Sequence, residues 1–310
     1  MNRGELRAIE SSLEAFLDYC FQGLGRVERR RALGHYVRGL MLDGERKSIE
    51  PVAQRLAPEG QAQAYRQRMQ EAVSFVDWDQ RIVFRRIGER ACEMLPGIAA
   101  WVVDDTGFPK KGFKSVGVQR QYSGTLGRID NCQTAPSLHL ASEAGGCCIG
   151  MQLYLPKQWA DNAGLRALTK VPDVIEFKEK WKIAIDLIDD AISWDLPRRP
   201  VVADAGYGDA TEFRNALVQR GLDYVVGVSK TTVVWPPGTK FEVPPSGRVG
   251  RPRTRPLPLD GAIPVSIDEL GQLETVSFRR VTWREGTRGP QWSRFAFVRV
   301  QTAHKHKTGA

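Results

Sequence analysis

Ile98-Ala99-Ala100-Trp101-Val102-Val103-Asp104-Asp105-Thr106-Gly107-Phe108-Pro109-Lys110-Lys111-Gly112 is the stretch on which the fold of this chain turns. Residues 99–103 form a short apolar run, bounded by Pro96-Gly97 before it and two aspartates after it, the pattern of a buried strand. Comparable runs recur at residues 137–141, 149–154, 200–203 and 224–228, and helix-like stretches at 175–194 and 211–220 alternate with the later ones. Strands in succession, then strands alternating with helices, predict a mixed α/β sheet covered by helices.

Upstream the periodicity is helical. Leu6, Ile9, Leu13, Phe16 and Leu17 recur at helix spacing, and further helical patterns cover residues 27–42, 49–56, 62–76 and 80–95. Residues 1–97 therefore predict a basic, all-α domain. A DNA-binding domain and a helical bundle with a solvated basic face fit this pattern equally well. Downstream, residues 235–261 are dense in Pro, Gly and Arg and predict a loop or extended arm. Residues 276–283 and 295–300 alternate as strands of a small β-rich insertion. The chain thus divides into residues 1–97, 98–230 and 231–310.

Composition narrows the function classes. The 310 residues are 42% hydrophobic, enough for a packed core, and carry a net charge of +9, which favours a polyanionic partner. Five cysteines, odd in number and without CxxC spacing, predict a reduced protein with no disulfide framework or structural zinc. The amino terminus lacks an apolar leader, and no apolar run approaches the roughly 20 residues of a membrane span, so a soluble, cytoplasmic protein is expected. No Walker A loop, no GxGxxG opening a helix and no GxSxG elbow appears, so neither a nucleotide cofactor nor a serine nucleophile is expected.

The chemistry points to carboxylates. Asp104 and Asp105 follow one predicted core strand, and Asp204 follows another one hundred positions later. Acids where a sheet opens are costly to bury unless they meet a cation or strong donors. Two such groups converging repel one another, and a hard divalent cation such as Mg²⁺ relieves the repulsion. The bland alternative is local: Asp104 or Asp105 in a turn, and Asp204 capping a helix that begins near Asp209.

Longer words surround these acids. Asp104-Asp105-Thr106-Gly107-Phe108-Pro109-Lys110-Lys111-Gly112 is followed by Ser115-Val116-Gly117-Val118-Gln119-Arg120-Gln121-Tyr122 and Asn131-Cys132-Gln133. Leu153-Tyr154-Leu155-Pro156 with Trp159, then Val201-Val202-Ala203-Asp204-Ala205-Gly206-Tyr207-Gly208-Asp209, complete three ordered blocks. Together they resemble a group of bacterial insertion-sequence DDE transposases. The resemblance implies an RNase H-like mixed sheet with an N-terminal all-α domain and a C-terminal β-rich insertion. It implies Asp104 and Asp204 as the first two catalytic, metal-binding acids, with Asp105 a neighbouring acceptor or the alternative first acid. It also implies Mg²⁺ or Mn²⁺: two ions about 3.5–4 Å apart, which activate a water or a DNA 3′-hydroxyl and stabilise the leaving oxygen. The implied partners are double-stranded DNA, as terminal inverted repeats and target, and a second copy of the chain.

One departure stands out. The group's third acid is a Glu on a helix in an Arg-, Tyr- and Lys-rich segment, whereas Glu269, Glu274 and Glu285 fall in the predicted β insertion and residues 301–310 hold no acid. A shortened chain unable to cleave DNA unaided is therefore expected, and a non-catalytic protein occupying transposon ends is the alternative function.

Basic and aromatic residues mark the expected DNA surface. Lys110, Lys111, Lys114 and Arg120 suit phosphates, and Tyr122 suits base stacking or packing. Arg251-Pro252-Arg253 reads either as a minor-groove arm or as a proline-rich linker. Trp235 and Trp283, near predicted strands, suit core positions or DNA contact, while His139 and His35 are expected as packed residues. His304 and His306 belong to an aperiodic end and are not metal ligands on this reading.

Overall fold

The computed structural model describes residues 2–75, 78–124, 126–243, 256–259, 261–287 and 289–303. They fall into two compact units, one of residues 1–203 and 212–225, the other of residues 204–211 and 226–310.

The first unit begins with helices α1 (Arg3–Phe21), α2 (Val27–Met41), α3 (Ile49–Leu56), α4 (Ala62–Gln70) and α5 (Gln80–Met94), close to the periodic segments of the sequence. Asn2 and Glu5 form a reciprocal capping box that fixes the start of α1. The helical pattern of residues 62–76 does not run through as one α-helix: α4 gives way to a π-helical turn at Glu71–Phe75. Leu17, Phe21, Leu24, Ala32 and Leu33 make one small core of this region, and Val52, Ala53 and Met69 another.

Next come β1 (Ala100–Pro109), β2 (Gln119–Ser123), β3 (Arg128–Ser142) and β4 (Gly145–Met151), the short helices α6 (Lys157–Ala160) and α7 (Ala163–Thr169), then α8 (Lys180–Ser193) and β5 (Val201–Ala203). Past α9 (Ala205–Gly208), α10 (Thr211–Gln219) leads to β6 (Tyr224–Val226). The sheet runs β2-β3-β1-β5-β6, with β4 also on β3. β1 pairs antiparallel with β3 and parallel with β5, so the sheet is mixed as expected. Trp101, Val103, Leu138 and Leu140 are essentially fully buried. Buried Leu187 of α8 packs on Gly150 of β4, the cross-strand partner of Leu138, so α8 covers the face that carries Leu138 and Val103.

Two expectations shift here. β1 does not stop at Val103, because the 15-residue β3 supplies partners as far as Pro109, opposite Cys132; both acids sit within a strand, not at the mouth of a loop. α8 starts at Lys180 and not at Ile175. Arg166 binds the carbonyls of Pro172 and Ile175 at 2.9 and 2.8 Å, diverting acceptors that a longer helix would need.

In the second unit, β7 (Val233–Trp235) is the centre of a three-stranded sheet with β10 (Val265–Ser266) and β13 (Gln301–Thr302), while β8 (Phe241–Glu242) pairs with β9 (Leu257–Pro258). Helix α11 (Ile267–Leu270) follows β10, and β11 (Arg279–Gly286) with β12 (Gly289–Phe295) forms a hairpin. The strand expected at residues 295–300 is displaced, since β11 begins at Arg279 opposite Phe295 and leaves residues 296–300 no partner in the hairpin. None of the helices of the described residues is long and apolar enough to cross a membrane.

Candidate active site

β1 and β5 lie side by side in parallel register, Trp101 with Val201, Val102 with Val202 and Val103 with Ala203. The next residue on one strand is Asp104 and on the other Asp204. Buried Val103 and Ala203, the residues just before the two aspartates, anchor both strands against the core.

The acids differ in their surroundings. Asp104 is exposed, and its Oδ1 accepts the amide of Asp105 at 2.7 Å; among the described residues no Lys or Arg pairs with it. Asp105, half-buried, receives the Lys180 ammonium on Oδ2 at 2.5 Å. The local-turn role weighed for Asp105 is therefore not what its backbone does, since it pairs with Pro136 inside the β1–β3 ladder. Asp204 is exposed and N-caps α9 through the Gly206 amide at 2.9 Å, five residues before the helix start that the sequence suggested. Asp209 is spent elsewhere: it accepts the Ser229 amide at 2.7 Å and the Ser229 hydroxyl. Gly208 leaves no room for a side chain, because a Cβ there would lie 1.9 Å from the Gly227 carbonyl oxygen.

Beside Asp104, on the same face of the sheet, are Ser137 and His139 of β3, since Asp104 pairs with Ser137 and Val102 with His139. The Ser137 hydroxyl donates to the Asp104 carbonyl at 3.0 Å and lies 3.0 Å from His139 Nε2. Burial holds His139 below the ordinary histidine range, with the Asp104 charge acting the other way. His35 stacks on Tyr65 and is likewise lowered, by burial and then by Arg38, Arg68 and Arg31.

Much of the sequence signature turns out to hold the loop that follows β1. Asn131 donates to the carbonyls of Lys110 and Gly112 at 2.7 and 2.9 Å, and Gln133 donates to that of Val116 at 2.6 Å. Gly117 has φ +76° and faces the Tyr154 carbonyl so closely that a Cβ would sit 2.7 Å from it. Trp159 donates its indole N–H to the Val118 carbonyl at 2.8 Å and packs with Val118 and Leu155. Pinned in this way, the loop exposes Lys110, Lys111 and Lys114. Arg120 and Tyr122 alternate along β2 on a shared face, both exposed. Arg251 and Arg253 lie outside the described residues, as do His304 and His306.

Sequence reasoning missed two features. Lys180 bore no motif, and no local signal marked it, because the acid it meets lies 75 residues away. The β11–β12 hairpin is the other, for Trp283 is 55% exposed and not a core residue. There the Arg280 guanidinium lies 4.0 Å over the Trp292 ring and Arg294 lies 5.8 Å from that of Phe278. Trp235 does pack, edge-on against Phe241, beside a cavity of about 1110 Å³ that none of the three acids lines.

Glu269 is committed to a capping box with Ser266, Glu285 lies exposed in β11, and Glu274 falls in the turn before that strand. Among the described residues no three His, Cys, Asp or Glu side chains gather as a metal-holding group.

Comparison with known proteins bears on this arrangement. A family model described as DDE superfamily endonuclease matches residues 20–290. The chain is similar to a probable transposase for insertion sequence element IS701 from Microchaete diplosiphon, 31% identical over 134 residues, which covers 41% of this chain and 31% of that protein. The chain thus spans about a third of the length of that relative. Among solved structures it is similar to the Mos1 transposase paired-end complex with left transposon end, at 13% identity and a TM-score of 0.23 over 64% of this chain and 59% of that one.

Proposed function

From the fact that this chain belongs to the DDE superfamily endonuclease family, we propose that it serves DNA cleavage and strand transfer at the ends of an insertion sequence, with Mg²⁺ or Mn²⁺ held by Asp104 and Asp204. The observation that carries this reading is the parallel register of β1 and β5, in which neighbouring Val103 and Ala203 are each followed by an exposed aspartate. Both carboxylates offer hard oxygen donors, and neither is taken up by a Lys or Arg among the described residues, so the donor set fits a divalent cation. A bound divalent ion supplies an activated water or 3′-hydroxyl and charge stabilisation for the leaving oxygen. The sheet order β4-β3-β1-β5-β6 around a central β1 supports an RNase H-like core in residues 98–230, with residues 1–97 as the DNA-binding segment and 231–310 as the insertion.

The chain's own residues account for the rest of the chemistry. Lys110, Lys111, Lys114 and Arg120 hold phosphates of double-stranded DNA next to the first acid, and Tyr122 stacks or packs beside them. Within the second unit, Arg280 and Arg294 of the hairpin are further cations with aromatic neighbours suited to phosphates. Two copies of the chain bring two transposon ends together. With two acids rather than three, the 310-residue polypeptide is read as inactive in cleavage by itself; the commitment of Glu269 to its capping box favours the companion reading of a protein that occupies ends without cutting.

The test uses Mn²⁺ and end DNA from the insertion sequence that encodes the chain. Mn²⁺ binding is expected to fall with Asp104→Asn and with Asp204→Asn, while DNA affinity survives both substitutions and EDTA. Nicking of end DNA by this chain in Mg²⁺, abolished by Asp204→Ala, would refute the inactivity. Mn²⁺ binding indifferent to both acids would remove the catalytic reading and leave the binder.

A further inference from the structure

We infer that Tyr122 and Ile129 form an apolar wedge that enters the base stack of duplex DNA lying over the Asp104 face of the sheet and opens one base step there. The wedge presupposes the DNA role proposed above and adds how the duplex is gripped. Alternate residues of a strand share a face. Asp104, Thr106 and Phe108 of β1 stand opposite Ser137, Ala135 and Gln133 of β3, so one face of the sheet carries them all. Along β3 the same face continues through Asn131 to Ile129. Across to β2 it takes in Arg120, paired with Asn131, and Tyr122, paired with Ile129. Asn131 and Gln133 hold the loop after β1 by its Lys110, Gly112 and Val116 carbonyls, so that loop and its lysines lie on this face too.

The other side of the β2–β3 hairpin is anchored. Ser123 is buried, its hydroxyl so close to Gly107 that a Cβ there would lie 2.6 Å from it, and the Gln121 amide donates to the Cys132 carbonyl at 2.9 Å. Asp130, on that side, pairs with Arg128. Tyr122 and Ile129, by contrast, are 64% and 61% exposed, side by side across the two strands, and Phe113 of the loop is 75% exposed. Adjacent apolar side chains left in water mark a surface that a partner covers. Charge selects the partner. Lys110, Lys111, Lys114 and Arg120 are exposed on this face, and among the described residues of β1, β2 and β3 it holds no acid but Asp104. A second copy of the chain would bring like charges together. A duplex instead supplies phosphates for the cations and, between them, bases that accept a ring and an aliphatic wedge. The anchored back of the hairpin suits this task, since opening a base step costs free energy that a yielding surface would not hold against.

The probe is end duplex from the insertion sequence that encodes the chain, carrying 2-aminopurine at successive positions, because its fluorescence rises when the base leaves the stack. Bound to the full chain, one position or two neighbouring ones should brighten several-fold. Tyr122→Ala combined with Ile129→Thr should remove most of that rise and weaken binding about fivefold or more, while Tyr122→Phe, which keeps the ring, should retain both. Arg120→Ala should instead lower the slope of log affinity against log salt by up to about 1 and leave the rise of the bound duplex in place. Val174→Ala, which trims a side chain 83% exposed between α7 and α8, should change neither. Should the double variant fail to fold by circular dichroism, Tyr122→Ala alone takes its place. An undiminished rise in the double variant, or intact binding with no brightening at any position, would overturn the wedge. A double variant that passes from dimer to monomer in sedimentation, its DNA signal untouched, would overturn it too and make the pair a contact between copies. Failure of the full chain to bind any end duplex would instead bring down the DNA role itself, and the wedge with it.

Discussion

Strands β1 and β5 of the sheet and strands β11 and β12 of the hairpin share one backbone geometry and almost nothing else. In the sheet Trp101, Val103 and Val201 are essentially out of water, and the hydrophobic effect fixes the register. In the hairpin every described residue from Arg279 to Glu285 and from Gly289 to Phe295 is exposed, and cross-strand hydrogen bonds and side-chain pairs hold it. The difference teaches where precision is stored. A strand with a buried face can present an acid at a fixed place, whereas an exposed hairpin presents cations and rings in water.

The largest expected effect tests that contrast directly. Trp101→Ala should cost about 3–5 kcal/mol in urea denaturation, and Trp292→Ala less than about 1 kcal/mol. Equal losses would mean that the hairpin is as much a part of the folding core as the sheet. Gly208→Ala should come next, at about 1–3 kcal/mol, because its Cβ would press on the Gly227 carbonyl. An unchanged melting curve would show that the loop after Asp204 yields easily.

The hairpin's side of the comparison is sharpened with DNA. Replacing Arg280 and Arg294 together by Ala should weaken DNA binding several-fold and lower the slope of log affinity against log salt by up to about 2, in fluorescence anisotropy from roughly 50 to 200 mM salt. A slope equal to that of the unmodified chain would exclude the hairpin from phosphate contact. The smallest effect concerns His139 and His35, whose folded pKa values are depressed. Both contribute fully above the unfolded histidine pKa of about 6.5, and their contribution is lost as pH falls below it. Melting temperature should therefore drop by a few degrees between about pH 7.5 and 5.5, and less in His139→Gln. A pH-independent melt for both proteins would show that neither imidazole is held neutral by the fold.

Local pattern made much of this legible. The starts of α2, α3 and α5 follow from periodicity and punctuation, and the apolar runs marked β1, β3, β5 and β6. Strand ends were less readable: nothing near Asp104 announces that β3 extends far enough to carry β1 on to Pro109. Nor does any local cue show Pro172 and Ile175 giving their carbonyls to Arg166 instead of a helix. Asn131, Gln133 and Trp159 were visible as words, but their work as clamps on a loop appears only when the segments meet.

By itself the sequence determined the class of sheet, the carboxylates proposed for the chemistry and the charge that suits a polyanion, because hydrophobic period, turn residues and side-chain type are properties of neighbours along the chain. Only the tertiary structure decided which strands are adjacent, which aspartate meets Lys180 and which tryptophans remain in water. Those outcomes depend on contacts across as many as 100 residues, as between Trp101 and Val201, where the cost of closing the loop is met by burial and pairing that no local window contains.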